Sequence, residues 1–250
     1  MSGLAKFVEG KVVGVRQWTD RLFSIMIDAP VEPWQAGQFS KLVLEINGEV
    51  VGRPYSYVNA PHERPLEFYY ITLDGGPLTE RLVGLKAGDT IHLSPKAAGF
   101  MILSELPQGE NLWMLSTGTA LGPFLAMLKT PDPWPRFKDI ALIHAVRNAN
   151  ELTYRDQIDR LLAEHPGQFR YVPFVSREDA DFAIQARVPE AIRDGRLQAK
   201  AGMELTAVKS QVMICGNPDM VKDTSTVLLE MGFKKNKRKD PGQITVENYW

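Results

Sequence analysis

The chain has a single cysteine, Cys215, among its 250 residues. One thiol excludes an internal disulfide framework, and it excludes an iron–sulfur cluster held by this chain alone, since such a cluster needs about four thiolates. The four histidines lie far apart in the sequence and show no zinc-ligand spacing. We therefore expect no metal site.

Long apolar runs and a charge bias are also missing. No stretch approaches the roughly 18 apolar residues that a membrane span needs, and the first residues lack the apolar region of a secretion signal. The 29 Lys and Arg residues nearly balance 30 Asp and Glu residues, for a net charge of −1, and 44% of the residues are hydrophobic. This composition excludes a disordered tail and a strongly cationic nucleic-acid binder. We expect a cytoplasmic globular protein without a membrane partner.

The first part of the chain alternates short β-like runs with turn residues. A length of 250 residues exceeds the about 100–150 residues of one typical core, so we expect two domains. Turn signals such as Asn47-Gly48 separate the runs, and one helix is predicted at Leu78–Leu85. The pattern predicts an antiparallel barrel or sandwich over residues 1–104. Its predicted strands are Lys11–Val15, Leu22–Ile27, Gln38–Ile46, Tyr55–Val58, Leu66–Thr72 and Thr90–Leu93.

After Pro107 the pattern changes to apolar runs that alternate with helices. This alternation predicts an α/β domain with a parallel sheet over residues 105–250, a boundary near Ser104–Gln108, and ligands at the carboxyl ends of the strands. The predicted fold class is therefore an α+β chain of two domains, an antiparallel β-barrel followed by a parallel α/β sheet. The predicted strands are Leu112–Leu115, Ile140–Val146, Phe169–Val175 and Val212–Cys215. The predicted helices are Pro123–Leu128, Thr153–Glu164, Pro189–Gly195 and Pro218–Met231.

Three segments contain residues suited to nucleotide binding. In the segment Arg53–Tyr57, an arginine and a hydroxyl three residues later fall on opposite faces of a strand, a pattern that a packed strand with a surface arginine shares. Thr117–Pro123 is a small-residue turn between a strand and a helix. Such a turn either holds a phosphate on its free N–H groups or is a plain connection between the two elements. Cys215–Met220 is a second such turn, whose cysteine is either a reactive thiol or a small buried hydrophobe.

Arginines and a terminal aromatic pair complete the candidates. Arg147 and Arg177 each follow a predicted strand, and Arg187 lies further along the same loop. Together they suit a dianionic phosphate, although each alone is typical of a solvated loop. The chain ends in Tyr249-Trp250, and two large aromatics at an end suit either a flat apolar ring system or core packing.

In their order and spacing these motifs resemble the bacterial ferredoxin/flavodoxin–NADP reductase family, in the subclass with an aromatic C-terminal extension. The resemblance covers essentially the whole chain. It implies an FAD-binding antiparallel barrel over residues 1–104 and an NADP-binding α/β domain over residues 105–250, with the flavin ring at their junction. The motifs that carry it are Arg53–Tyr57, Gly118–Pro123, Cys215–Met220 and Tyr249-Trp250.

The resemblance implies an FAD site on the first domain. Arg53 would pair with the pyrophosphate, Tyr55 would stack on the isoalloxazine ring, and Ser56 would hydrogen-bond near its N5 atom. Pro77 lacks an N–H and departs from the Lys or Ser that is commoner in the family's phosphate-binding turn. The residues implied on this side are Arg53, Pro54, Tyr55, Ser56, Tyr69, Tyr70, Ile71, Thr72, Pro77, Leu78 and Thr79.

The resemblance also implies an NADP site on the second domain. Thr119 and Cys215 would lie beside the nicotinamide; one terminal ring would cover the flavin, and the other would stack on the adenine of a bent FAD. The residues implied around the 2′-phosphate are Val146, Arg147, Ser176, Arg177 and Arg187. The implied terminal segment is Val246, Glu247, Asn248, Tyr249 and Trp250. The residues implied to be catalytic are Tyr55, Ser56, Cys215, Glu247 and Tyr249.

The implied function is electron transfer between NADPH and ferredoxin or flavodoxin. NADPH would give a hydride to flavin N5, and the electrons would then pass singly to the protein carrier. We expect a monomer with no nucleic-acid partner. An acidic carrier needs a positive surface. The candidates for that surface are Arg16, Arg21, Lys41 and Lys234–Lys239.

Other functions stay open at the level of the sequence. A NAD(P)H-dependent flavin reductase component serving an oxygenase shares the architecture, as does a dihydroorotate-dehydrogenase-type electron-transfer subunit. Such proteins usually add an iron–sulfur module, for which this chain has no cysteines. The alternatives of a different class are a nucleotide-binding module without redox activity and a nucleic-acid binder that uses Lys234–Lys239.

Overall fold

The structure is a computed structural model that describes residues 3–249. The chain divides into two units. The first runs to Ile102 and also includes Gly122–Thr130, and the second comprises Leu103–Leu121 and the chain from Pro131 onward. Among the described residues, no helix is long and apolar enough to cross a membrane.

Up to Ile102 the first unit consists of six antiparallel strands and one helix. These elements are β1 (Val8–Gln17), β2 (Leu22–Asp28), β3 (Phe39–Ile46), β4 (Glu49–Ser56), β5 (Leu66–Ile71), β6 (Thr90–Leu93) and α1 (Pro77–Val83). The strand order is β4-β3-β6-β1-β2-β5. A bridge between Tyr57 and Phe68 joins the chain after β4 to β5, so the two edges of the sheet meet and close it into a barrel. The barrel core includes Ile25, Leu42 and Phe68, all fully buried.

The hairpin between β3 and β4 corrects one prediction. Asn47 and Gly48 both have positive φ, 53° and 82°, the combination that a two-residue I′ turn requires. β4 therefore starts directly after the turn, at Glu49, and the predicted strand at Tyr55–Val58 is wrong in its bounds. Pro54 is tolerated because β4 lies at an end of the hydrogen-bonded strand order.

The second unit contains five parallel strands. They are β7 (Asn111–Thr117), β8 (Asp139–Val146), β9 (Phe169–Val175), β10 (Ser210–Gly216) and β11 (Ile244–Asn248), in the order β11-β10-β7-β8-β9. Helix α2 (Leu121–Leu128) falls almost wholly in Gly122–Thr130, which belongs to the first unit. The helices of the second unit are α3 (Pro133–Arg136), α4 (Arg155–Glu164), α5 (Val188–Arg193), α6 (Arg196–Ala201) and α7 (Pro218–Glu230). On one face, Trp113, Phe174 and Leu228 belong to a core that the strands share with α5, α6 and α7. The predicted fold class, an antiparallel barrel followed by a parallel α/β sheet, is confirmed.

Some element bounds in this unit differ from the prediction. Helix α4 starts at Arg155 rather than Thr153, because Tyr154 has a left-handed φ of 57°. The predicted helix Pro189–Gly195 corresponds to α5, which ends at Arg193. Helix α6, which begins after Gly195 with its φ of 80°, is not among the predicted elements. The predicted elements did not include α3 or β11.

Candidate functional site

Strand β4 presents a cation and a hydroxyl on opposite sides. Arg53 is exposed and Ser56 is buried, with the odd and even positions of the strand facing different ways, as the sequence predicts. The Arg53 guanidinium donates to the carbonyl of Gly52 at 2.8 Å. No described carboxylate forms an ion pair with it, so its charge is open to an anionic ligand.

Two tyrosines lie together beside Arg53. The rings of Tyr55 and Tyr70 meet edge to face with centroids 6.2 Å apart. Burial raises the pKa of Tyr55 to about 12 and raises that of Tyr70 further, so both phenols keep their protons. The Tyr70 hydroxyl is buried and has no hydrogen-bond partner within the described residues, which leaves a polar atom for a ligand to satisfy.

The chain after β5 forms the turn that opens α1. Tyr69 is buried, and Ile71 and Thr72 follow it at the end of the strand. The Thr79 hydroxyl accepts from the N–H of Leu73 at 3.2 Å and donates to the carbonyl of Gly76, so it is used inside the turn. Gly76, the residue before Pro77, provides no side-chain cap. The N–H groups of Leu78 and Thr79 are thus the ones that the helix start can offer to a phosphate.

The ends of β7 and β10 are locked together in the second unit. The Thr117 hydroxyl accepts from the N–H of Asn217 at 2.9 Å. Gly216 has a φ of 138°, and a Cβ atom there would overlap that hydroxyl, so only glycine fits. The turn Gly118–Ala120 continues from Thr117 and carries the buried side chain of Thr119. Sequence analysis missed the role of Thr117, which depends on a partner 100 residues away.

Cys215 and Glu247 face each other on adjacent strands. The two residues are paired in the register of β10 and β11, and the N–H of Tyr249 donates to the carbonyl of Gly216 at 2.9 Å. Burial, helped by the nearby Glu247 charge, raises the pKa of the Cys215 thiol, while the Tyr249 hydroxyl favours the thiolate. Burial also raises the pKa of Glu247, to about 7. Cys215 is therefore a neutral, buried thiol, which agrees with the small-hydrophobe alternative rather than the reactive one.

The rest of the terminal segment is more exposed. Val246 and Asn248 are exposed, while Tyr249 is half-buried. Trp250 lies outside the described residues. The predicted residues Cys215, Glu247 and Tyr249 thus come together at one strand end.

Arg147 and Arg177 lie on neighbouring loops. The N–H of Arg177 donates to the carbonyl of Arg147 at 2.9 Å, and the N–H of Ser176 donates to the carbonyl of Val146 at 3.2 Å. Both arginines are exposed, and neither forms an ion pair with a described carboxylate. Arg187 is also exposed but starts α5, and no hydrogen bond among the described residues joins it to this pair. The structure therefore brings together two of the three predicted arginines through their backbones.

Comparison with known proteins identifies the family of the chain. A family model described as "Oxidoreductase NAD-binding domain" matches residues 114–226. The chain is 46% identical, over 99% of its length and 100% of the relative's, to a flavodoxin/ferredoxin–NADP reductase of Escherichia coli (strain K12). It is 36% identical to a ferredoxin–NADP reductase of Pseudomonas aeruginosa, over 95% of each chain.

A solved structure shares both the fold and the sequence. It is a ferredoxin NADP+ reductase from Neisseria gonorrhoeae with bound FAD and NADP, with a TM-score of 0.92 and 36% identity, over 98% of this chain and 100% of the other. The resemblance deduced from the motifs is confirmed by these relatives. The chain belongs to the bacterial flavodoxin/ferredoxin–NADP reductase family of electron-transferring oxidoreductases.

Proposed function

We propose that this protein transfers electrons between NADPH and ferredoxin or flavodoxin, with FAD as its bound cofactor. The observation that carries the proposal is the position of Arg147 and Arg177 at the carboxyl ends of β8 and β9. Their backbones are hydrogen-bonded to each other, and neither side chain forms an ion pair with a described carboxylate. Two guanidinium groups at adjacent strand ends suit the 2′-phosphate that distinguishes NADP from NAD. We assign residues 1–104 to FAD and residues 105–250 to NADP.

The barrel residues fit a flavin dinucleotide. FAD, when bound, supplies the chemistry that links a two-electron donor to one-electron acceptors. Arg53 offers an open guanidinium to the diphosphate, and Tyr55 offers a ring beside it; Ser56 is the buried hydroxyl assigned to the flavin. The unpartnered Tyr70 hydroxyl supports this fit, because a buried polar atom without a partner is costly. The other residues assigned to FAD are Pro54, Tyr69, Ile71, Thr72, Pro77, Leu78 and Thr79.

The strand ends of the second unit are assigned to the nicotinamide nucleotide. Thr119 and the neutral thiol of Cys215 would line its reactive end, and Glu247, with a pKa of about 7, would hold a proton beside them. Val146, Ser176 and Arg187 are assigned to the 2′-phosphate side with the arginine pair. Val246 and Asn248 complete the terminal segment.

The terminal aromatics are assigned a gating role. Tyr249 is anchored by its N–H and by its hydroxyl near the Cys215 thiol. If Tyr249 or Trp250 covers the face of the flavin that the nicotinamide needs, removing both residues changes NADP+ affinity and the hydride-transfer rate together. Stopped-flow reduction of the truncated holoenzyme measures both quantities, and unchanged values for both would contradict the gate.

We assign the binding surface for the acidic carrier to the basic residues that were named from the sequence. Arg21 faces Asp74 at 3.8 Å, and Lys234 and Arg238 are paired with Asp240 and Glu105. These pairs reduce the free charge of the predicted surface, whose other members are Arg16, Lys41, Lys235, Lys237 and Lys239. We expect a cytoplasmic monomer. A freely diffusing ferredoxin or flavodoxin would then bind to a single chain. Light scattering of the purified holoenzyme measures the oligomeric state.

The proposed function is tested by colour and by nucleotide preference. Purified protein should be yellow, should reduce ferricyanide with NADPH far faster than with NADH, and should pass electrons to ferredoxin or flavodoxin in a cytochrome c assay. A colourless protein that takes up no FAD would overturn the proposal. Reduction of free flavin without transfer to either carrier would favour the oxygenase-linked flavin reductase.

A further inference from the structure

Two carboxylates lie in the loops that carry Arg147 and Arg177. Glu151 ends the short turn Ala149–Glu151 after β8, and Glu178 directly follows Arg177 after β9. An acidic residue beside a phosphate site weakens binding if it repels the phosphate or neutralises an arginine. Within the described residues, however, neither carboxylate forms an ion pair with either arginine. The two carboxylates have other partners.

Both carboxylates accept hydrogen bonds from backbone N–H groups of the first loop. The Glu151 carboxylate accepts from the N–H of Arg147 at 2.8 Å and from that of Asn148 at 3.1 Å. The Glu178 carboxylate, from the second loop, accepts from the N–H of Ala149. The negative charges are therefore bound to three consecutive N–H groups of the backbone, and the guanidinium groups stay open to a ligand.

Glu178 joins the second loop to the first. Its hydrogen bond with the Ala149 N–H adds to the backbone bond that the Arg177 N–H donates to the Arg147 carbonyl at 2.9 Å. In addition, Ala149 packs against a small buried apolar cluster that includes Ala180 of the second loop. Two hydrogen bonds and an apolar contact thus fix the backbones from which the two arginine side chains extend.

We propose that Glu178 is a positioning residue for the 2′-phosphate: its carboxylate holds the two loops together, so that the guanidinium groups of Arg147 and Arg177 reach the same phosphate. Glu151 fixes the first loop internally, through a capping box with Asn148. Groups whose positions are set before the ligand binds improve affinity, because less conformational entropy is lost on binding. The proposal rests on the proposed function, because it needs the 2′-phosphate at this arginine pair.

A positioning role and a simple effect of charge predict opposite results when Glu178 is replaced. If the carboxylate only repelled the phosphate, removing its charge would strengthen the binding of NADP+. If it holds the loops together, removing it weakens the binding of NADP+ and leaves NAD+, which has no 2′-phosphate, almost unaffected. The direction of the change therefore decides between the two roles. Glu178 is exposed, so its replacement leaves the core of the unit unchanged.

Three variants of the holoenzyme test the proposal through the Kd of NADP+ and NAD+, measured by titration of the flavin absorbance. Glu178→Ala should weaken NADP+ binding about three- to tenfold, the effect of one lost hydrogen bond, and change NAD+ binding less than about twofold. Glu178→Gln keeps an acceptor oxygen without the charge and should fall between wild type and Ala. Asp179→Asn is the matched control, because this neighbouring carboxylate accepts from the Gln185 side chain at 2.7 Å within its own loop. It removes the same charge and should not weaken NADP+ binding.

Hydrogen exchange of the Ala149 amide tests the link between the loops without any nucleotide. The amide should exchange about tenfold faster in Glu178→Ala than in wild-type holoenzyme, and at the wild-type rate in Asp179→Asn. Equal exchange in wild type and Glu178→Ala, unchanged or tighter NADP+ binding by Glu178→Ala, or equal losses for NADP+ and NAD+ would each overturn the proposal. Wild-type protein that binds NADP+ no better than NAD+ would instead refute the proposed function, and the exchange rates would still show whether Glu178 holds the Ala149 N–H.

Discussion

In the first unit the candidate residues Arg53, Tyr55 and Ser56 lie within a strand, whereas in the second unit Thr119, Arg147 and Arg177 lie just beyond strand ends. Arg53 and Tyr55 lie on one face of β4 and Ser56 lies on the other, because alternate residues of a strand point to opposite sides. Arg147 and Arg177 follow the last residues of β8 and β9, and Thr119 follows β7. An antiparallel sheet therefore uses its face for binding, and a parallel sheet uses one edge.

The difference shapes how each unit handles charge. The barrel presents one open guanidinium beside two neutral tyrosines. The parallel sheet gathers two guanidinium groups on loops whose backbones are hydrogen-bonded to each other, and it keeps neutral groups at the next strand ends. We expect substitutions on the face to alter flavin binding and substitutions at the edge to alter nucleotide choice.

The largest expected effect is at the edge of the parallel sheet. Arg147→Ala with Arg177→Ala should cost about 2–4 kcal/mol of NADPH binding, because two charge-assisted phosphate contacts are lost, and should barely affect NADH. Kd values from flavin absorbance titrations measure both. Arg193→Ala, which breaks only an exposed pair with Glu230 at 3.1 Å, is the control. Equal losses for the two nucleotides would remove the functional contrast between face and edge.

The next effect is on the barrel face. Arg53→Ala should weaken FAD binding by about 1.5–3 kcal/mol, through loss of a charged contact with the diphosphate. Arg53→Lys, which keeps the charge but not the two-pronged geometry, should fall between wild type and Ala. Fluorescence of released FAD reports the affinity. A change in the NADPH to NADH preference of the FAD-saturated variant would show that the two regions are not separable.

The buried Glu247 carboxyl should make stability depend on pH. The pKa of Glu247 is raised in the folded protein, to about 7, so folding favours its protonated form. The protonated Glu247 contributes its full stability to the folded protein below the pKa of an unfolded glutamate, and this contribution is lost as the pH rises through about 7. Between pH 5 and 8 the wild type should lose about 2 kcal/mol of unfolding free energy relative to Glu247→Gln. Urea unfolding at several pH values measures this; parallel pH profiles for the two proteins would contradict it.

The smallest effects are those of ion pairs away from either site. Lys129 and Glu63 lie 2.9 Å apart in the first unit, and the Lys129 side chain is only 17% exposed. Lys138 and Glu110 of the second unit are 3.5 Å apart, and the Lys138 side chain is 72% exposed. Lys129→Met should cost about 0.5–1 kcal/mol and Lys138→Met less than about 0.5 kcal/mol by urea unfolding. A larger loss of unfolding free energy for Lys138→Met than for Lys129→Met would contradict the expectation that the more buried pair contributes more stability.

The sequence predicts what depends on local pattern. Alternation identified most barrel strands, and the change of rhythm after Pro107 identified the parallel sheet. The bounds of β4 followed from the positive φ of Asn47 and Gly48, a turn signal that the prediction had noted but did not use to start the strand. Arg147 and Arg177 were found because parallel strands end at the same edge.

What the sequence did not predict depends on distant partners. The role of Thr117 depends on its contact with Gly216, which is distant in the sequence. Strand β11 forms by pairing with β10, and its own sequence does not show that partner. Helix α6 was not predicted; it begins after Gly195, whose left-handed backbone lets the chain start a second helix directly after α5.

The contact between Gly216 and Thr117 has a consequence for redesigning the coenzyme preference of this protein. No side chain can be added at position 216 without displacing the strand end, so a library of variants there would sample only damaged proteins. Arg147 and Arg177 are exposed, and neither side chain forms an ion pair with a described carboxylate. Substitutions at these two positions should therefore leave the fold intact. An engineer who wishes to convert the protein to NADH should leave Gly216 intact and randomise positions Arg147 and Arg177.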